Sequence, residues 1–396
     1  MRKTNKLKAL VSIIYFFQGF SLSGLALSLY FKEQLNFSIT TLALMGAIIS
    51  SPWLCKVLFG IASDSYPLFG YRRKSYLVIS TVLGAIIWTI LALIPSQNFW
   101  FFTTLFFFAS LFSAIIDVVV DGLTVSHSLD GKDANEFQTL SWGSRSFASL
   151  VSGVISGWVV GKIDIQILFF IEIPLHLIQL PFILALYEAR VIKENVKVNV
   201  KRVIQNIVSP FKEFFGNKQL LLISLFSLLG MFSPSYGLPF FYRMRDNLNF
   251  SAQFIGILAS VGAVGGIIGF IIFNKYLSNI PIKRLLYVSV FIWACNTASV
   301  LLIVDKPTAI CVSIIGDIFG FMSFIPTMSI AAKLCSKTTH QATLFALLMA
   351  IHNISSTGSS LLGSWLYKFV GFTPLVIIST FTTFLCLPIL KYIKED

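Results

Sequence analysis

Apolar stretches separated by short polar breaks recur along the whole chain. A helix rising 1.5 Å per residue needs about 20 mostly apolar residues to cross a hydrocarbon layer of roughly 30 Å. Stretches of that kind begin near residues 9, 39, 75, 99, 138, 166, 219, 251, 285, 307, 341 and 373. The pattern predicts twelve transmembrane helices. Met1 to about Phe31 is longer than a signal-peptide core and flows into further spans, so it reads as the first helix. One break is long and basic, Glu188 to Lys218, and divides the chain into six-helix bundles at 1–187 and 219–396 with a 188–218 linker. In that linker Val196, Val200, Val203, Ile204, Ile207 and Val208 recur at helical spacing among Lys193, Lys197, Lys201 and Arg202. An amphipathic helix on an anionic cytoplasmic leaflet fits this spacing. A plain linker fits it almost as well.

The halves carry traces of each other. Leu35-Asn36-Phe37-Ser38 recurs as Leu248-Asn249-Phe250-Ser251, and Gly24-Leu25 recurs at the same offset as Gly237-Leu238. Arg145 with Trp158 on the fifth helix matches His352 with Trp365 on the eleventh at a single offset. The Asn-Phe-Ser triplets also fit a glycosylation acceptor, but inherited repetition beside a span explains them better. Parallel six-helix repeats around a central site are the layout of major-facilitator transporters. Small residues mark Gly153-x-x-x-Gly157-x-x-x-Gly161, Gly262-x-x-x-Gly266, Gly265-x-x-x-Gly269 and Ser355-Ser356-Thr357-Gly358-Ser359-Ser360-x-x-Gly363, where close approach of the halves, or static packing elsewhere, is expected. Pro234, Gly237 and Pro239 predict a break in the seventh helix.

Composition narrows the class. Hydrophobic residues make up 56% and charged residues 12%, against about a quarter charged in soluble domains, which excludes a soluble globule. The net charge of +13 raises nucleic acid as a partner, but most Lys and Arg fall in alternate breaks. By the positive-inside rule that side is cytoplasmic and holds both termini and the linker. The charge is therefore topological, with no nucleic-acid partner. Cys55, Cys295, Cys311, Cys335 and Cys386 are scattered without a Cys-x-x-Cys, so neither a disulfide framework nor a metal site is indicated. No cofactor is expected.

Charges inside the spans are the informative residues, because each costs a few kcal/mol at membrane depth and marks an ion or substrate pathway. Asp117 and Asp121 stand four apart and share a helix face. Counted from the helix ends, Lys56, Arg145 and Asp117 lie at one level, roughly 10 to 14 Å inside the cytoplasmic boundary. Two readings follow. Either they form an ion-pair network fixing helix orientation, or Lys56 and Arg145 hold an anionic substrate while Asp117 or Asp121 exchanges a proton. Trp53 and Trp142 each precede a cation by three positions and suit stacking against a planar ring, or simple packing. Asp317 and His352 lie near the midplane of the second half as a possible proton-sensitive pair. Glu172 and His176, four apart on the sixth helix, suit a structural or interfacial role.

Pro52-Trp53-Leu54-Cys55-Lys56, Gly60-x-x-Ser63-Asp64-x-x-Pro67-x-x-Gly70-Tyr71-Arg72-Arg73-Lys74-Ser75-Tyr76, Asp117-Val-Val-Val-Asp121 and Gln138-x-x-x-Trp142-Gly143-x-Arg145 together resemble the folate-biopterin transporter family of the major facilitator superfamily. The match is strongest over residues 17–160. The resemblance implies an all-α, twelve-helix membrane fold and uptake of folates or pterins by proton symport. Lys56, Asp117, Asp121 and Arg145 match the family's charged motif positions. Taken with the spacing and depth above, the expected substrate residues are Lys56, Arg145, Trp53, Trp142 and Asp117, and the expected proton-coupling residues are Asp121, Asp317 and His352. Asp64, Arg72 and Arg73 match the loop signature of the wider superfamily, implying a cytoplasmic gate. Permeases for muropeptides, acyl-CoA or nucleotide-like metabolites, and a non-transporting receptor, are the alternatives. An intramembrane aspartyl protease is disfavoured, because Ile314-Ile315-Gly316-Asp317 lacks the first glycine of its motif. The expected setting is the cell membrane, as a monomer, with lipid, protons and a small anion as partners.

Overall fold

The computed structural model describes residues 2–127, 131–160, 162–190, 200–277, 280–336, 338 and 341–394. In chain order its helices are α1 (Arg2–Gly19), α2 (Ser23–Leu29), α3 (Ile39–Leu54), α4 (Lys56–Ser65), α5 (Lys74–Leu93), α6 (Phe99–His127), α7 (Gly131–Val159), α8 (Ile165–Leu177) and α9 (Leu180–Leu184). They continue as α10 (Val200–Gly216), α11 (Lys218–Met231), α12 (Gly237–Asp246), α13 (Ala252–Ile272), α14 (Ile282–Ser299), α15 (Lys306–Ser336), α16 (Gln341–Val370), α17 (Phe372–Thr383) and α18 (Leu387–Leu390). Two compact units emerge, Met1–Asn36 with Ile48–Val203 and Phe37–Ala47 with Ile204–Asp396.

A helix lies at or beside each of the twelve expected starts. Among the described residues nine helices are long and apolar enough to cross a bilayer, and ten if Val208–Gly216 and Lys218–Met231, bent by 86°, are one span. The helices expected near 138, 219 and 341 are the ones outside the nine. α7 and α16 have the length, at 29 and 30 residues, but Lys132, Asp133, Glu136 and Arg145 interrupt one, and His352, Asn353 and a serine-threonine run interrupt the other. α11 is short because the chain leaves the helix after Met231. The linker is helical from Val200 to Gly216; Val196, Lys193 and Lys197 lie outside the described residues.

Each unit has its own apolar core. Val11, Ile14, Leu77, Val120 and Ile183 join α1, α5, α6 and α9 in the first unit. Ile223, Phe226, Leu286, Ile330 and Leu344 join α11, α14, α15 and α16 in the second. Large apolar side chains such as Ile86, Phe291 and Phe381 are exposed, as expected where the solvent is lipid and not water.

The repeated segments fold alike. Asn36 and Asn249 both adopt the left-handed backbone conformation, with φ of 53° and 51°, which asparagine tolerates better than most residues. Each leads into a capped helix start: the Ser38 hydroxyl accepts from the Thr41 amide at 3.2 Å and that of Ser251 from the Phe254 amide at 3.2 Å. The first helix of each repeat is also broken, between α1 and α2 and between α11 and α12.

The orphan groups at these breaks are satisfied by matched positions. At the first, Ser152 of α7 accepts from the Ser21 amide at 3.1 Å. Glu172 of α8 accepts from the Leu22 and Ser23 amides at 2.9 Å and from the Ser21 hydroxyl at 3.1 Å. At the second, the Ser359 carbonyl of α16 accepts from the Ser235 amide at 3.0 Å, and the Ser233 hydroxyl donates to the Ser379 carbonyl of α17 at 2.6 Å. Ser152 and Ser359, like Glu172 and Ser379, stand at the same offset as Arg145 and His352.

Of the two expectations for the small-residue rows, the contacts of α13 and α16 match static packing. The contacts found for α13 and α16 lie inside the second unit. A Cβ on Gly265 would meet the Ile314 carbonyl of α15 at 2.7 Å, and one on Gly363 would meet the Ser235 amide nitrogen at 2.6 Å. These rows let backbones approach within one unit, a partner that spacing along a single helix does not identify.

Candidate functional site

Pro52 in the last turn of α3 removes an amide donor, and the chain restarts as α4 after Cys55. The restart places Lys56 at the head of α4, with its ammonium nitrogen 4.4 Å from the centre of the Trp53 ring. Trp53 is fixed in turn, because its indole N–H donates to the Ser110 hydroxyl of α6 at 2.9 Å. Two turns along α6, Asp117 is 2% exposed and forms ion pairs with both Lys56 and Arg145, the latter on α7. The cations retain side-chain exposures of 25% and 24%. One enclosed carboxylate is thus shared by two partly accessible cations.

α1 completes the cluster. Gly19 permits its close approach, since a Cβ there would stand 3.2 Å from the Arg145 Cα. The Arg145 guanidinium donates to Gln18 Oε1 at 2.6 Å, and Gln18 Nε2 donates to the Ser113 carbonyl at 3.0 Å. The guanidinium carbon lies 4.6 Å from the centre of the Tyr15 ring, and the Tyr15 hydroxyl donates to Asp121. Tyr15 and Gln18 were not among the sequence candidates. Their signal was modest: two polar groups three positions apart in the first apolar run.

The remaining expected residues divide into three groups. The Arg73 guanidinium donates to the Gly122 carbonyl, one residue beyond Asp121. The amides of Arg72, Arg73 and Lys74 donate to the Glu188 carboxylate at 3.0, 3.0 and 2.8 Å, which caps α5. The side chains of Asp64 and Trp142 lie outside the described residues.

Asp317 and His352 have different neighbours. Asp317 lies against Gly262 and Gly265 of α13, whereas His352 packs its ring against Phe324 at 5.8 Å between centres. Phe324 is two turns from Asp317 along α15, about 10 Å. Glu172 caps the break after α1, and His176 packs against Gly84 of α5, a structural placement for both. Among the described residues no group of three or more His, Cys, Asp or Glu is arranged to hold a metal ion.

The family model of the BT1 family matches residues 18–395. The chain is 31% identical to the folate-biopterin transporter of Synechocystis sp., over 97% of this chain and 81% of that protein. It is 25% identical to the probable folate-biopterin transporter 4 of Arabidopsis thaliana, over 91% of this chain and 88% of that one. The structure superposes on the crystal structure of the nucleoside transporter NupG with a TM-score of 0.69 at 16% identity, over 99% of this chain and 98% of that one. At that identity the likeness shows the fold, which is that of a major-facilitator transporter.

Proposed function

Because the chain belongs to the BT1 family of membrane transporters, we propose that it carries folate- or pterin-type planar anions by alternating access, in symport with protons. The observation that supports this most directly is Asp117 shared between Lys56 and Arg145. Charges held away from water need compensation, and an uncompensated one is strongly disfavoured. With Asp117 and Asp121 both ionised the two cations are balanced, and once either aspartate is protonated a substrate carboxylate arriving beside the cations supplies the missing negative charge. Protonation of Asp117 or Asp121 frees more positive charge for the anion, so proton and substrate bind together. Trp53, held by Ser110 and lying beside Lys56, offers an aromatic edge to a planar ring. Asp317 and His352 act in this reading as separate second-half candidates for proton coupling.

The relatives named for folate and biopterin support the substrate class. The reading places the chain in the cell membrane as a monomer with both termini cytoplasmic, and makes Asp64, Arg72 and Arg73 the cytoplasmic gate. Counterflow in proteoliposomes tests it, with a panel of folates, pterins, nucleotides and muropeptides. Labelled folate or pterin is expected to exchange against its unlabelled form, and a protonophore is expected to abolish accumulation. Tight binding of a muropeptide or acyl-CoA with no competition from any folate or pterin would overturn the substrate assignment. Binding without exchange would make the protein a receptor.

A further inference from the structure

We propose that Tyr15 is a positioning residue that couples the state of Asp121 to the hold on Arg145. The inference rests on the proton-symport reading above and deepens it. Tyr15 is buried at 2% exposure and belongs to the core of the first unit, so ordinary packing is the competing explanation. Its hydroxyl, however, donates to Asp121, and Ser141 of α7 is a neighbour of the same hydroxyl. The face of the same ring lies under the Arg145 guanidinium. Tyr15 thus touches both the second aspartate and a substrate cation, whereas Gln18, its neighbour on α1, reaches Arg145 and the Ser113 backbone.

The groups facing Asp121 define what its protonation changes. Tyr15 approaches from α1, the Lys56 charge from α4, and Arg73 from the turn before α5 through the adjacent Gly122 carbonyl. Asp117 lies one turn back on α6, and Arg145 and Ser141 of α7 reach Asp121 through the phenol. An ionised Asp121 accepts the phenol hydrogen. When one proton binds, the new carboxylic O–H donates to the phenol oxygen, and the phenol hydrogen turns toward the Ser141 hydroxyl. One proton is gained, no covalent bond breaks, and Tyr15 stays neutral. A phenol that donates to a carboxylate has a more electron-rich ring face than one that accepts from a carboxylic acid, so the ring's attraction for the Arg145 guanidinium resting on it weakens when the proton binds.

Tyr15→Phe keeps the ring and removes the switchable hydrogen bond. With the full chain in proteoliposomes and radiolabelled folate as probe, wild-type uptake is expected to rise as the external pH falls. Tyr15→Phe is expected to flatten that profile and lower the maximal rate about tenfold, the scale of one charge-assisted hydrogen bond, with a smaller change in KM. Added to Asp121→Asn it should produce no further loss, because both changes cut one link. A wild-type profile and rate in Tyr15→Phe, a raised KM at unchanged maximal rate, or additive losses would overturn the proposal. A second measurement needs no Tyr15 variant. Infrared difference spectra of the wild type between acid and neutral pH should show a tyrosine hydrogen-bond change that Asp121→Asn abolishes, and its absence would overturn the proposal. Wild-type folate uptake indifferent to pH and protonophore would remove proton coupling itself. A pH-sensitive wild type with an unmoved Tyr15→Phe profile would remove the Tyr15 role alone.

Discussion

Asp117 meets two cations, so its removal should cost more than the removal of either one. Asp117→Ala leaves Lys56 and Arg145 facing each other without their acid. Breaking a buried pair from one side costs about 3 to 5 kcal/mol, and the partial exposure of both cations puts this case near the lower end, measured as loss of thermal stability in detergent. Lys56→Ala with Asp117→Ala should recover part of that stability while uptake stays abolished. A double variant that transports normally would mean the charges only balance each other. A second residue-scale outcome concerns the turn between α4 and α5, where Phe69 holds φ of 52° beside Gly70 at 83° and is 82% exposed. The left-handed conformation costs an ordinary side chain about 1 to 2 kcal/mol. Phe69→Asn should therefore raise the melting temperature without touching the charged cluster. The Lys56, Asp117 and Arg145 level was legible in the sequence because helical rise converts residue count into depth. Tyr15 and Gln18 were not, because depth says nothing about which way a helix is turned.

At the scale of elements, the breaks in the first helix of each repeat are held unequally. Glu172 receives three donors at the α1–α2 break, while its counterpart Ser379 exchanges hydroxyl bonds with Ser233 at the α11–α12 break. Leaving a buried donor unpaired costs about 1 to 3 kcal/mol. Glu172→Ala should thus destabilise the protein by at least that amount in thermal unfolding. Glu172→Gln, which keeps an acceptor oxygen, should cost less, and Ser379→Ala should cost least. Equal losses in the three variants would show that packing of α8 and α17, and not these hydrogen bonds, holds the breaks. The break in the seventh helix was legible from Pro234 and Pro239. The break in the first helix, at Phe20 to Leu22, has no proline and only a glycine at the position repeated in the other half, so its sequence carries little sign of it.

For the whole molecule, the expected topology places both termini and the 188–218 linker in the cytoplasm. Single cysteines introduced between Lys193 and Lys218 should react with a membrane-impermeant reagent only after the inner face is opened, and labelling of intact cells from outside would reverse the orientation. The sequence by itself determined the helical class, the starts of the helices, the internal repeat and the height of the charges, because lipid demands long apolar helices and makes every intramembrane charge conspicuous. It also carried the family, through motifs whose spacing survives without contacts. Only the tertiary structure decided azimuth and partnership. It set Asp117 between Lys56 and Arg145, turned Tyr15 onto Asp121, gave Asp317 and His352 different neighbours, and gave the small residues of α13 and α16 partners within their own unit. The reason is geometric: rotation of a helix about its axis is fixed by the side chains of its neighbours, which come from segments far away along the chain.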